Sequence, residues 1–245
     1  MLDAIVADGA YRSQWVTGTS NGGLTARPGG DRWAWESRLF DARYDDGPGE
    51  ARPVYGAYDR GQGPWGAATR FGSAHLVLRA EVVGRSTFCW PDSVFEPEAF
   101  GGPERLAELC ALADAGGLDP TLLPPAASGL PLDDPLNDYV EAQVHGGVLL
   151  DRDVAALVLD PSDAVEHAAV LDRLPMPVRT HPGFAVRARD IDPDYRGRVP
   201  VDLARVIGGT VTPARLATAR RSGEHDPQAV KWLWHCLARF GRQDG

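Results

Sequence analysis

The segment Tyr139-Val140-Glu141-Ala142-Gln143-Val144-His145 has the two-residue period of a β-strand. Alternation puts Tyr139, Glu141, Gln143 and His145 on one face and Val140, Ala142 and Val144 on the other. A carboxylate, an amide and an imidazole in one row suit proton transfer or the stabilisation of positive charge that develops during a reaction. The same pattern also describes a half-solvated antiparallel strand with its polar face in water. Earlier in the chain, Arg85-Ser86-Thr87-Phe88 opens another β-prone run, and Asp92-Ser93 follows it. A hydroxyl pair at that place can hold a ribose or orient a carboxylate, or it is ordinary β-propensity closed by a Pro-Asp turn.

Residues 17–31 (TGTSNGGLTARPGGD) are dense in glycine and small hydroxyls. Such a loop lets backbone N–H groups approach an anion, with Ser20, Asn21 and Gly22 at its centre. It matches neither GxxxxGK[ST] nor GxGxxG, and an ordinary surface loop has the same composition. In Arg52-Pro53-Val54-Tyr55-Gly56 an arginine stands at the mouth of a candidate strand, where it can pair with a phosphate or lie at the surface. Trp232-Leu233-Trp234-His235-Cys236 reads as helical core packing, and His181 as a structural turn residue. No nucleophile elbow, HExxH or EF-hand loop is present. Cys89, Cys110 and Cys236 are far apart, without a zinc-ligand pattern, so no metal is expected.

The elements that must position these groups divide by character. Residues 2–8 read as the end of a short helix stopped by Gly9. Strands are expected at 54–58, 73–79, 86–90, 139–144, 148–150 and 156–159. Residues 145–147 should form a kink or bulge. A helix over 103–115 carries Leu106, Leu109, Cys110 and Ala113 on one face, and another is expected near 164–173. Residues 116–137 read as loop. From about residue 197 the pattern is helical, over 201–207, 213–221 and 226–240. In the last helix Val230, Leu233, Trp234, Leu237 and Phe240 form the apolar face, with Arg239 and Arg242 in solvent. The expectation is an α+β core over 1–196 and a helical C-terminal extension over 197–245 packed on it.

Composition bounds the rest. The chain has 245 residues, 25 Lys+Arg against 34 Asp+Glu, and a net charge of -9. A protein driven onto duplex DNA by phosphate contacts would carry a basic surplus instead. Glycine (28) and proline (20) make irregular backbone plentiful. No apolar run approaches a membrane span, and no secretory leader is visible. With an odd number of cysteines, this points to the cytoplasm, with export as an effector by another route left open.

The order of the segments TGTSNGGLTA, GGDRWAWESRLF, RPVYGAYD, RFGSAHLVLR, RSTFCWPDS, DYVEAQVHG and WHCLARFG resembles an uncharacterised bacterial family, a domain of unknown function, over nearly the whole chain. More loosely, the hydroxyl-led strand followed by a strand with a lone glutamate is similar to the ADP-ribosyltransferase superfamily. That resemblance implies an α+β fold with a split β core. It implies NAD as substrate, cleaved at its N-glycosidic bond, with ADP-ribose transferred to a nucleic-acid base, a protein side chain or a small molecule. Water as acceptor would make the chain an NAD glycohydrolase.

Carried over, Glu141 matches the superfamily's glutamate, and Ser86 or Thr87 its middle-strand hydroxyl. Ser86 and Glu141 are then expected in one cleft, on a β core that also includes 73–79. The resemblance puts Ser20, Asn21, Gly22, Arg32, Arg52, Tyr55, Gln143 and His145 near the nucleotide, with Tyr139 or a tryptophan stacked on nicotinamide. The resemblance implies a strand with histidine and arginine before the opening helix; the sequence given opens at Met1 inside that helix, so this element is expected either to be missing, with Arg52 or Arg32 left to take its place, or to lie upstream of Met1. The alternative is a nucleotide- or partner-binding module of the same fold without turnover, truncated before its first strand.

Overall fold

Many helices open where a short polar side chain precedes a proline. Asp160-Pro161, Asp192-Pro193, Thr212-Pro213 and Asp226-Pro227 each place a capping oxygen before a residue whose missing N–H costs a first turn nothing. In all four the capping side chain accepts a backbone N–H at the helix start. These punctuation marks belong to the second of two units into which the chain divides in a computed structural model, which describes residues 2–18, 26–61, 63–95, 97–116 and 134–244. The first unit comprises 1–60 and 78–155, the second 61–77 and 156–245.

The first unit begins with α1 (Leu2–Asp8), β1 (Ala10–Tyr11), α2 (Gln14–Thr17) and α3 (Asp31–Leu39). Its main sheet has the order β2-β6-β4-β5, from β2 (Val54–Tyr58), β4 (Ser86–Cys89), β5 (Phe100–Gly101) and β6 (Val140–Val144). The paired strands are antiparallel, with Tyr55 and Thr87 both opposite Gln143, and Ala57 and Cys89 both opposite Glu141. Directly opposed residues share a face. One face therefore carries Tyr58, Phe88, Val140 and Ala142, which pack with Leu109 and Ala113 of α4 (Leu106–Ala115). The other carries Tyr55, Thr87, Cys89, Glu141 and Gln143, where Tyr55 meets Trp35 of α3 at a ring separation of 5.7 Å. After β6, Gly146 and Gly147 both take positive φ (79° and 72°), which glycine adopts without steric cost. They turn the chain into β7 (Val148–Leu149), which pairs with β1, and then α5 (Leu150–Asp153).

The second unit holds most of a three-stranded sheet of order β3-β8-β9: β3 (His75–Leu78), β8 (Val154–Leu159) and β9 (Val178–Thr180). It also contains the pair β10 (Val186–Arg187) and β11 (Thr210–Val211). Its helices are α6 (Pro161–Glu166), α7 (Ala168–Leu171), α8 (Pro193–Arg196), α9 (Arg198–Ile207), α10 (Pro213–Ser222) and α11 (Pro227–Phe240). Val230, Leu233 and Leu237 of α11 are buried, as the helical period requires, and Arg239 and Arg242 are exposed. Trp234 and Phe240 are only half-buried, and the Trp234 indole N–H donates to the Thr69 and Arg70 carbonyls.

The contacts do not divide at residue 197. Phe184, Val186 and Ile191 share one apolar cluster with α9, α10 and α11, so the helical segment and the chain before it form a single core. The helix expected near 164–173 is two short helices, the strand expected at 73–79 lies in the other sheet from 86–89 and 140–144, and Asp31–Leu39 is a helix that the residue pattern did not announce. The fold class is α+β.

Candidate polar site on the four-stranded sheet

Every residue of β6 is buried, on both faces. The half-solvated strand is thereby excluded. Its polar side chains have left water and need partners within the protein, since an unpaired buried polar group costs about 1–3 kcal/mol. Those partners form one connected network.

Glu141 is 6% exposed. Gln143 donates through Nε2 to its Oε1 at 2.8 Å, and the Ser93 hydroxyl reaches its Oε2 at 3.0 Å. The Cys89 thiol lies 3.8 Å from Oε1. Ser93 also reaches Asp92 Oδ1 at 3.3 Å, and the Tyr139 hydroxyl donates to Asp92 Oδ2 in a short bond. One serine hydroxyl thus bridges two carboxyl groups. Burial, and then the charge of Asp92, push the Glu141 carboxyl up to about 8, against the smaller opposing pull of Gln143, Ser93 and Arg32. Burial and the charge of Glu141 hold the Cys89 thiol well above the usual thiol range. Glu141 is therefore a neutral acid at pH 7 in the ligand-free site and able to ionise near neutrality.

On the other side of Gln143 the polarity of the network can be deduced. Thr87 has one hydroxyl proton and gives it to Gln143 Oε1 at 2.9 Å. The His145 Nε2 atom, 3.0 Å from the Thr87 hydroxyl oxygen, must then carry a proton and donate to it. His145 Nδ1 is left as an acceptor, and the Tyr44 hydroxyl donates to it at 2.5 Å. The imidazole is neutral: burial and the charges of Arg43 and Arg85 pull it down to about 4. Arg85 donates to the His145 and Gly147 carbonyls and pairs with Asp153, which ties down the glycine turn carrying the imidazole.

A second cluster lies under α3, which turns Arg32, Trp35 and Glu36 inward at i, i+3 and i+4. Arg52 Nη1 pairs with Glu36 Oε2 at 2.6 Å, both side chains being buried. Tyr55 and Trp15 donate to Glu36 Oε1, and the Arg52 guanidinium lies over the Trp15 ring at 3.7 Å. Arg32 sits over the Tyr55 ring, 4.7 Å from its centroid. Burial, with the nearby Glu36 charge, raises the Tyr55 phenol well above its usual range.

The sheet thus brings together Glu141, Gln143, Thr87 and Tyr55 on one face, with His145, Arg32 and Tyr139 reached through it. Ser86 is a correction: strand alternation turns it to the opposite face, where its hydroxyl donates to the Val82 carbonyl at 2.8 Å. Arg52 is a second, because its guanidinium is occupied by Glu36 and the Tyr44 carbonyl instead of facing a ligand. Tyr139 is a third: at 1% exposure it has no free ring face for a nicotinamide. Ser20, Asn21 and Gly22 lie outside the described residues. The site gains Tyr44 and Glu36, which the residue pattern did not single out. Glu36 falls four residues after Arg32, so the helical period of α3 was the available signal.

The family model described as protein of unknown function (DUF3626) matches residues 1–114 and 126–240. The chain belongs to this DUF3626 family. A comparison with curated proteins finds no match. Among the described residues of this DUF3626 chain no group of three or more His, Cys, Asp or Glu could hold a metal ion, and no helix is long and apolar enough to cross a membrane.

Proposed function

We propose that this chain is an ADP-ribosyltransferase-like enzyme with a split β core, which cleaves the N-glycosidic bond of NAD and transfers ADP-ribose. The observation that carries this reading is the register of β4 and β6. It sets a threonine hydroxyl and a glutamate on one sheet face, joined through Gln143, with the carboxyl able to ionise near neutrality. In NAD the nicotinamide nitrogen is positively charged. Placed beside Glu141, that charge favours the carboxylate and releases its proton. When the C1′–N bond breaks, its electron pair goes to the nicotinamide nitrogen and positive charge moves onto the ribose, where the carboxylate opposes it. The acceptor then bonds to C1′, and its proton passes to Glu141 or to solvent. The acceptor is a nucleic-acid base, a protein side chain or a small molecule, and water gives free ADP-ribose. Thr87, Gln143 and His145 orient the glutamate.

The test is NAD consumption by the purified protein, with mass spectrometry of acceptors. Glu141→Gln keeps the shape and removes the ionisable group. It should leave folding and NAD binding nearly intact and lower turnover by about 100-fold or more, in line with the loss of other electrostatic stabilisers. Equal turnover by the variant would refute the role of Glu141. A nucleotide-binding module without turnover is the second reading, favoured by the closure of Glu141 behind Ser93, Gln143 and Cys89. It predicts NAD binding with no consumption.

A further inference from the structure

Asp92 is a buried carboxyl to which the proposed reaction gives no role. It is 8% exposed and lies just after β4, near the end of the sheet where Glu141 enters β6. The Tyr139 hydroxyl donates to its Oδ2, and the Val94 N–H donates to its Oδ1 at 2.8 Å, so the carboxyl is fixed at both oxygens. Oδ1 also meets the Ser93 hydroxyl at 3.3 Å, and that same hydroxyl lies 3.0 Å from Glu141 Oε2.

The hydrogen bonds show which way this bridge runs. Glu141 Oε1 accepts from Gln143 Nε2 at 2.8 Å. The acid proton of Glu141 therefore belongs on Oε2, where the Ser93 oxygen receives it. Ser93 is then left to donate its own proton to Asp92 Oδ1. The other groups that face Glu141 do not take the place of Asp92. Burial keeps the Cys89 thiol and the Tyr55 phenol neutral, and Arg32 is a cation that favours the carboxylate. Glu36, which also meets Tyr55, is neutralised by Arg52. After burial, the charge of Asp92 is what holds the proton on Glu141. Two carboxyls so close oppose each other's ionisation and titrate as a pair.

We propose that Asp92 is a positioning residue for Glu141: the two carboxyls form an acid–base pair that shares one proton through Ser93. The transfer balances within the protein. Glu141 gives its proton to Ser93 Oγ while Ser93 gives its own to Asp92 Oδ1, so the pair keeps one proton and one negative charge. Only the place of the charge changes. A cation bound beside Glu141 draws the charge onto it, and the departure of that cation returns the proton. The pair stands on the hydrogen bonds of the ligand-free protein. The identity of the cation as the nicotinamide ring of NAD rests on the transferase reading.

The test is a pH titration of the ligand-free protein, with 13C-labelled aspartate and glutamate carboxyls followed by NMR. In the wild type the Asp92 signal should show a step at the midpoint of Glu141, because the two titrate together. This reading needs no variant. Asp92→Asn keeps the shape and removes the charge, and it should lower the Glu141 midpoint by about one unit or more. Ser93→Ala removes a donor that supports the Glu141 carboxylate, and it should move the midpoint the other way. A merely structural Asp92 or Ser93 would change the melting temperature and leave the midpoint in place. An Asp92 signal without the step, or a Glu141 midpoint unmoved by Asp92→Asn, would overturn the pair. If the pair titrates as stated and NAD is not consumed, the pair stands and the transferase reading falls.

Discussion

On the α4 side of the four-stranded sheet, Phe88, Val140 and Ala142 meet Leu109 and Ala113, and burial removes apolar surface from water. On the α3 side the same strands, displaced by one residue, present Tyr55, Thr87, Cys89, Glu141 and Gln143, and burial removes polar groups from water. The apolar face needs only shape and volume to be stable. The polar face needs each donor matched to an acceptor, which is why its bonds run unbroken from Tyr44 through His145, Thr87, Gln143 and Glu141 to Asp92. A glutamate kept in such a place at the cost of its charge is a poor choice for stability alone. The comparison teaches that one face of the sheet is held by apolar packing and the other by matched polar groups, the face to which the proposed function assigns its chemistry.

Large-to-small changes separate the two faces most sharply. Leu109→Ala, at a fully buried position, should cost about 2–5 kcal/mol in denaturant unfolding, and the surviving folded fraction should keep its NAD affinity. A cost below about 1 kcal/mol, the size of an ordinary surface change, would break the contrast.

A smaller effect concerns pH. The Glu141 carboxyl titrates at about 8 in the folded chain and near the usual carboxylate value of about 4.3 when unfolded. The folded state therefore holds the proton more tightly. Its contribution is complete below the unfolded value and is lost as pH rises through the folded one. His145, lowered to about 4, acts with the other sign: its contribution is present above the usual imidazole value of about 6.5 and is lost as pH falls towards 4. Of these two terms only the glutamate's changes above about pH 6.5. Between about pH 6.5 and 9 the wild-type melting temperature should fall more than that of Glu141→Gln. Parallel profiles would mean that the carboxyl is already ionised in the folded chain.

Much of this was legible in the residues. Strands 54–58 and 86–89 stand where β-prone residues announce them, 140–144 follows two-residue alternation, and α11 follows the helical period. Alternation alone also separates Ser86 from Thr87 once the register with Glu141 is known, but register depends on pairing across the chain and is not a local property. The helix of α3 was missed because its inward face is Arg32, Trp35 and Glu36 instead of aliphatic residues, so the apolar period is weak. The occupied state of Arg52 was missed for a related reason: its partner, Glu36, is brought near by the fold and by no sequence motif. The boundary at 197 was misplaced because short segments such as 184–191 add core residues without strong periodicity.

The most direct test of the account is the titration of Glu141 itself, followed by NMR of the side-chain carboxyl in protein made with 13C-labelled glutamate and assigned with Glu141→Gln. In the free protein the signal should titrate near 8. Adding NAD should lower its midpoint by about one unit or more, because the proposed function sets the nicotinamide cation beside the carboxyl. A midpoint in the ordinary carboxylate range, unmoved by saturating NAD, would contradict both the buried acid and its place at the reacting ribose.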